Sequence, residues 1–179
     1  AFADGKSMGK ETTPAAWRDN RLVLKLAQKR LWEVGNPFLY DLKFTLTRNN
    51  AKVDEVASYF GLRKVSIEGR AILINGKRVF QRTILDQGFY PDGIWTAPSD
   101  EALKRDIELS MAAGFNGARL HQKVFEPRFL YWADKLGYLV WGEFPNWGFN
   151  FAPENYSNVI NEWTEILQRD RNHPAIIGW

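Results

Sequence analysis

The sequence predicts a two-part chain: an antiparallel β segment over residues 1–68, then an α/β unit over residues 69–179 with the pattern of the first half of a TIM (β/α)8 barrel. Three observations point there. Before residue 69, apolar and polar residues alternate, as in 21–26 (RLVLKL) and 40–46 (YDLKFTL), which suits strands with one wet face. After it, strand and helix patterns alternate strictly, four strands against three helices. Finally, the polar residues Asp86, Gln87, Arg119, His121 and Glu143 fall at strand C-terminal ends, the face on which such barrels build their sites.

Bulk properties exclude several function classes. The 179 residues are 45% hydrophobic and 25% charged, as soluble core-forming chains are. Lys and Arg (24) are interspersed with Asp and Glu (21). With no basic stripe, nucleic acid is not an expected partner. No apolar run approaches a membrane span, and the first residues lack the layout of a signal peptide, so the chain is expected to begin either mature or mid-protein. No cysteine is present, which excludes disulfides and thiolate metal sites and leaves cytoplasm, periplasm and secretion equally open. Two His 52 positions apart argue against zinc. Aromatics reach 15%, with 8 Trp. Such rings fill sandwich and barrel cores, and they also stack on sugars.

In the β segment, turn signals stand at Gly35 and Asn36-Pro37 between the two strands. Asn49-Asn50 reads as a hairpin turn, and 53–63 leads into a strand at 64–68. These are too few strands to close a sandwich. Either the segment pairs with something else, or its first strands lie upstream of Ala1.

In the second part, 72–80 is a hairpin around Asn75-Gly76. A strand at 80–85 exits into Asp86-Gln87-Gly88, and a Pro- and Gly-bearing loop follows to Pro98. Ser99 caps a helix with Asp100 and Glu101 in its first turn. Leu103, Ile107 and Met111 form its inner stripe, and Gly114 ends it. After a strand at 116–120, a helix opens at Glu126-Pro127, turns Phe129, Trp132, Ala133 and Leu136 inward, and stops at Gly137. The apolar strand 138–141 suits a parallel sheet covered on both faces. A loop with Phe144, Trp147, Phe149 and Phe151 leads to a helix over 157–169 that buries Val159, Ile160, Trp163, Ile166 and Leu167. Asn172-His173-Pro174 breaks the pattern before a last strand at 175–179. A doubly wound sheet is the alternative, but no Gly-rich phosphate loop follows a strand.

The strand ends make a polar ring suited to hydroxyl-rich ligands, since each sugar hydroxyl both donates and accepts. Each member has two readings. Arg119 contacts a ligand or pairs with a carboxylate inside the barrel. His121 is functional or structural. Glu143 lines a pocket, because an unpaired buried carboxylate is costly. Asp86 contacts ligand or caps a turn. Trp147 is a sugar platform or packs with its loop neighbours. His173 precedes a strand, at the far end of the barrel, and reads as structural.

Five stretches resemble glycoside hydrolase family 2, the group of β-galactosidases, β-glucuronidases and β-mannosidases: LWEVGNPFLYDL (31–42), FGLRKVSIEGRAILINGKRVFQR (60–82), SDEALKRDIELSMAAGFNGARLHQ (99–122), WADKLGYLVWGE (132–143) and RDRNHPAIIGW (169–179). The resemblance implies that residues 1–68 are the later part of an immunoglobulin-like β-sandwich, preceding half a barrel. It implies a retaining exo-β-glycosidase, β-galactosidase-like, acting on a glycoside or oligosaccharide. In the family the RDRNHP stretch leads within roughly five residues into an Asn-Glu pair whose Glu is the acid/base, and the nucleophile Glu lies further on. Neither catalytic residue is therefore expected before Trp179, and the 179 residues alone are expected to be inactive. Asp86, Gln87, Arg119, His121, Glu143 and Trp147 are the expected substrate-binding residues. The family often has Arg-x-Ser-His where this chain has Arg119-Leu120-His121-Gln122, so its His comes one place early. No cofactor is expected. A divalent metal stays open for a complete enzyme, with no ligands assigned here. Two rivals differ in class: a non-catalytic sugar-binding relative, and a half-barrel module whose open edges make a homo-oligomer.

Overall fold

The computed structural model describes residues 1–15, 21–150 and 152–179. Two short strands, β1 (Phe2–Ala3) and β2 (Lys6–Ser7), join the long hairpin of β3 (Tyr40–Arg48) and β4 (Ala51–Phe60) in a sheet ordered β2-β1-β3-β4. The hairpin turns at Asn49 and Asn50, with φ of 50° and 61°. Two successive left-handed residues are what a tight hairpin needs, and Asn tolerates them better than most side chains. One face of the hairpin is apolar: Phe44 lies opposite Val56, and Tyr40 opposite Phe60 with the rings stacked at 5.0 Å.

Residues 21–26 do not form the expected strand. They carry no regular structure, and Leu22, Leu24 and Leu26 line a groove with Leu42, Phe44 and Phe60. The alternating pattern thus reports a face laid on the sheet. The bond from Ala27 N to Met8 O, 2.7 Å, does not extend into a ladder there.

A second sheet holds β5 (Val65–Glu68), β6 (Ala71–Ile74) and β7 (Lys77–Arg78), in order and antiparallel. Its second turn is Asn75-Gly76, with φ of 54° and 77°. Asn75 also works sideways: its Oδ1 accepts from Lys64 N and its Nδ2 donates to Trp32 O.

The barrel portion is a four-stranded parallel sheet of β8 (Thr83–Asp86), β9 (Gly117–Leu120), β10 (Leu139–Trp141) and β11 (Ile176–Gly178), in unbroken sequence order. A doubly wound sheet would reverse direction somewhere along that order; this one does not, and it is singly wound as barrels are. Helices α1 (Asp100–Ala112), α2 (Pro127–Leu136) and α3 (Tyr156–Asp170) are the crossovers. Ser99 Oγ accepts from Ala102 N at 3.2 Å, capping α1. Gly137 ends α2 in the left-handed region, φ 73°. A Cβ there would meet Gly35 N at 2.6 Å, because the 31–39 segment crosses α2 at that point.

The core lies between sheet and helices: Leu103, Ile107, Ala118, Leu120, Phe129, Leu130, Ala133, Val140 and Ile176. Trp32 joins it from the β segment, fully buried, its Nε1 donating to Asp134 O at 2.8 Å. Burying such a side chain contributes about 2–3 kcal/mol and ties the two parts together. In α2 the inner face includes Leu130 and the fully buried Asp134, neither expected from the sequence, whereas Trp132 and Leu136 are only partly covered. Ile160, expected inside, is 63% exposed. The inner side of α3 runs through Val159, Trp163, Ile166 and Asp170, and Ile160 lies 100° round from Val159.

Candidate functional site

The C-terminal ends of β8 to β11 converge on one mouth. Alternation along each strand decides what enters it. Asp86 sits opposite Leu120 and Leu85 opposite Arg119, while Arg119 sits opposite Trp141. Leu85, Arg119 and Trp141 therefore share the barrel-interior face. Asp86 shares the helix-side face with Ala118 and Leu120.

Arg119 and Glu143 form the centre. Arg119 Nε donates to Glu143 Oε2 at 2.5 Å. Glu143 Oε1 accepts from Gln122 N at 3.3 Å and Gln122 Nε2 at 3.2 Å, with His121 Nε2 at 3.8 Å. Burial pushes the Glu143 carboxyl up. The Arg119 hydrogen bond and charge, the Gln122 N–H and His121 outweigh that and hold it below the usual carboxylate value. The pairing reading of Arg119 describes its side chain: it pairs with a carboxylate inside the barrel, at the mouth.

Gln87 and His121 bridge β8 to β9, Gln87 Nε2 lying 2.8 Å from His121 Nδ1. An amide nitrogen only donates, so Nδ1 accepts and Nε2 carries the hydrogen, facing Glu143. The early position of this His in the chain does not keep it from the site.

Asp86 is turned away. Its Oδ1 accepts from Gly88 N at 2.8 Å, closing a tight turn, and its side chain lies on the helix side beside Ile107 and Tyr138. There burial raises its pKa. The turn-capping reading describes its carboxylate. What Asp86 offers the site is its backbone carbonyl, which accepts from His121 N at 2.7 Å. Asp86 and Glu143, the two strand-end carboxylates, thus lie on opposite faces of the sheet and do not flank one bond.

An aromatic wall faces Arg119 and Glu143. Phe144 meets Phe149 and Trp163 edge-on, and Trp163 meets Trp179 at 5.6 Å. Phe144, Trp163 and Trp179 border, with Trp141 and Gly142, an open cleft of about 450 Å³. Trp147 does not pack with them: it is 91% exposed. Phe151 lies outside the described residues. Among the described residues no group of three or more His, Asp or Glu gathers to hold a metal ion, and no helix is long and apolar enough to cross a membrane.

Two family models match in tandem: "Glycosyl hydrolases family 2" over residues 3–63, and "Glycosyl hydrolases family 2, TIM barrel domain" over residues 65–179. The second alone spans well over half of the chain. The chain belongs to glycosyl hydrolase family 2. A β-galactosidase of Bacteroides ovatus is 28% identical over 166 residues, 87% of this chain and 19% of that protein. A β-galactosidase of Lactococcus lactis is 31% identical over 159 residues, 84% of this chain and 16% of its own length. Among solved structures, the β-glucuronidase of Ruminococcus gnavus in complex with D-glucuronic acid superposes with a TM-score of 0.80 at 31% identity, covering 87% of this chain and 27% of that one. This family 2 chain thus spans about a fifth of the length of the curated relatives it matches.

Two residues central to the family 2 chain were not among the expected site residues, although Gln122 stood in the strand-end polar ring. Gln122 holds the loop after β10, and Asp134 holds the start of β11. Gln122 had one signal, its place beside His121 at a strand end. Asp134 had none, since a lone Asp on a helix reads as solvent-facing.

Proposed function

We propose that this chain is part of a retaining exo-β-glycosidase, β-galactosidase-like, with residues 1–68 as the later part of an immunoglobulin-like sandwich and 69–179 as the first half of the catalytic barrel. The observation that carries the reading is the Arg119–Glu143 pair, anchored by Gln122 and His121, standing before the aromatic wall at the barrel mouth. A sugar seated there meets charged and amide donors on one side and ring faces on the other, the two surfaces a pyranose needs. Arg119, His121, Gln87 and Glu143 orient the hydroxyls of the sugar whose bond is cleaved, and Trp147 offers a ring at the rim. A carboxylate tied to Arg119 and held deprotonated is a poor proton donor. Glu143 is therefore a ligand contact, and the acid/base and nucleophile of the retaining reaction come from elsewhere in the complete protein.

The test compares the complete protein with residues 1–179 on aryl β-galactosides and β-glucuronides. Turnover is expected from the first and none from the second. Hydrolysis by residues 1–179 alone would overturn the assignment of roles. Sugar binding without turnover by the complete protein would make it a carbohydrate-binding relative. In the active protein Glu143→Gln lowers kcat/KM by about ten- to a hundredfold, yet leaves measurable turnover. Complete loss with normal folding returns Glu143 to the catalytic set.

A further inference from the structure

Gln122 is built into this mouth more firmly than any residue beside it. Its backbone sits at φ 55°, in the left-handed region where a side chain other than Gly, Asn or Asp is strained and persists only if its surroundings hold it there. Its carboxamide makes four hydrogen bonds. Nε2 donates to Glu143 Oε1 at 3.2 Å and to Asn146 Oδ1 at 2.6 Å. Oε1 accepts from Asn146 N and Trp147 N, both at 2.8 Å. All the hydrogen-bonding capacity of one amide is thus spent on a single loop, 21 to 25 residues away in the chain. The loop carries both a carboxylate held toward the site and, four residues later, an indole that is almost wholly exposed.

We propose that Gln122 is the positioning residue of this site. It registers the loop after β10 against the end of β9, so that Glu143 and the Trp147 ring move as one unit. The ring then stacks on the sugar or aryl group next to the one Glu143 contacts. The identity of the stacked group rests on the glycosidase reading; the registration does not. The two ends of the carboxamide divide the work. The nitrogen serves Glu143 and the Asn146 side chain, and the oxygen serves the backbone of Asn146 and Trp147.

That division makes the idea separable from a general structural role. In Gln122→Ala both functions are lost. In Gln122→Glu the oxygen acceptor for the Asn146 and Trp147 backbone amides is kept, while the donor to Glu143 and to Asn146 Oδ1 is replaced by a charged oxygen. Hydrogen exchange in the complete protein should show the Asn146 and Trp147 amides deprotected in Gln122→Ala and protected in Gln122→Glu. Unchanged protection in Gln122→Ala would overturn the registration. So would equal deprotection in both variants.

Kinetics supply the second arm. Gln122→Ala should lower kcat/KM on aryl β-glycosides by about tenfold, mainly through KM, and should cost little more in a Trp147→Ala background, since coupled residues do not add. Gln122→Glu should keep KM and move the acidic limb of the pH profile upward. Fully additive losses would show that Gln122 does not act through Trp147. If the wild-type protein turns over no glycoside, the functional reading fails by itself and the exchange measurement still decides the registration. If Gln122→Ala does not fold, the Gln122→Glu exchange pattern decides it.

Discussion

The imidazole Nδ1 of His173 sits 2.6 Å from Oδ2 of Asp134. A carboxylate only accepts, so Nδ1 carries the hydrogen. The same oxygen accepts from the Tyr59 hydroxyl at 2.8 Å, and Oδ1 accepts from Ala175 N at 2.9 Å. Tyr59 belongs to β4, Asp134 to α2 and His173 to the approach to β11. One buried carboxylate therefore joins the β segment, a barrel helix and the start of the last strand, at the opposite end of the sheet from Glu143. Arg63 reinforces the junction, donating to Pro174 O at 2.9 Å and to Ile176 O.

Asp134→Ala should be among the most damaging single changes. It strands the imidazole, a phenol and a backbone N–H in a site with no exposure. Removing one partner of a buried charged network costs about 3–5 kcal/mol, measurable as a drop in the urea midpoint. Asp134→Asn, which keeps the shape and one acceptor, should cost clearly less. Equal losses would mean that packing, and not the carboxylate, holds the junction.

Folding lowers the Glu143 pKa from about 4.5. Its contribution to stability is therefore present above that unfolded value and is lost as pH falls through the lower folded value. In Arg119→Gln the largest opposing interaction is gone and burial dominates, so the Glu143 titration should move up. Carbon-detected NMR of Glu143 in both proteins checks the sign, and an unmoved titration would contradict it.

Tyr138 and Ser110 form a buried pair, hydroxyl to hydroxyl at 2.7 Å. Ser110→Ala leaves the phenol without its partner and should cost about 1–3 kcal/mol. Adding Tyr138→Phe should recover much of that, because both polar groups are then gone. Burial pushes the Tyr138 hydroxyl up to about 12 from 10. A raised folded value gives stability that is full below pH 10 and lost as pH rises toward 12. Alkaline unfolding of Tyr138→Phe should be less steep across that window.

Gly142 lies against the face of Trp179: a Cβ would come within 2.6 Å of Cζ3. Gly142→Ala should cost about 1–3 kcal/mol by overpacking and displace Trp179 from the edge-on contact with Trp163. Thermal unfolding with indole near-ultraviolet circular dichroism reads both effects. Loss of stability with an unchanged aromatic signal would mean that the backbone, and not Trp179, had yielded.

Local signals in the sequence were enough for the elements of residues 40–179 and their order, though not for the short strands β1 and β2 or for residues 21–26. Period-two and period-3.6 patterns, Asn49-Asn50, Asn75-Gly76, the Ser99 cap and the left-handed Gly137 each act within a few residues, so they are legible without a partner. They also pointed to the candidate site, since a parallel strand has a C-terminal end wherever it lies. Only the tertiary structure decided which side chains use it. One step of alternation turned Asp86 behind the sheet and left Arg119 in front. Sheet register brought Arg119 to Glu143 across 24 residues and Asp134 to His173 across 39. Gln122 and Asp134 looked ordinary because their partners are distant in sequence. A hydrogen bond depends on where two atoms meet in space, and no local periodicity records that.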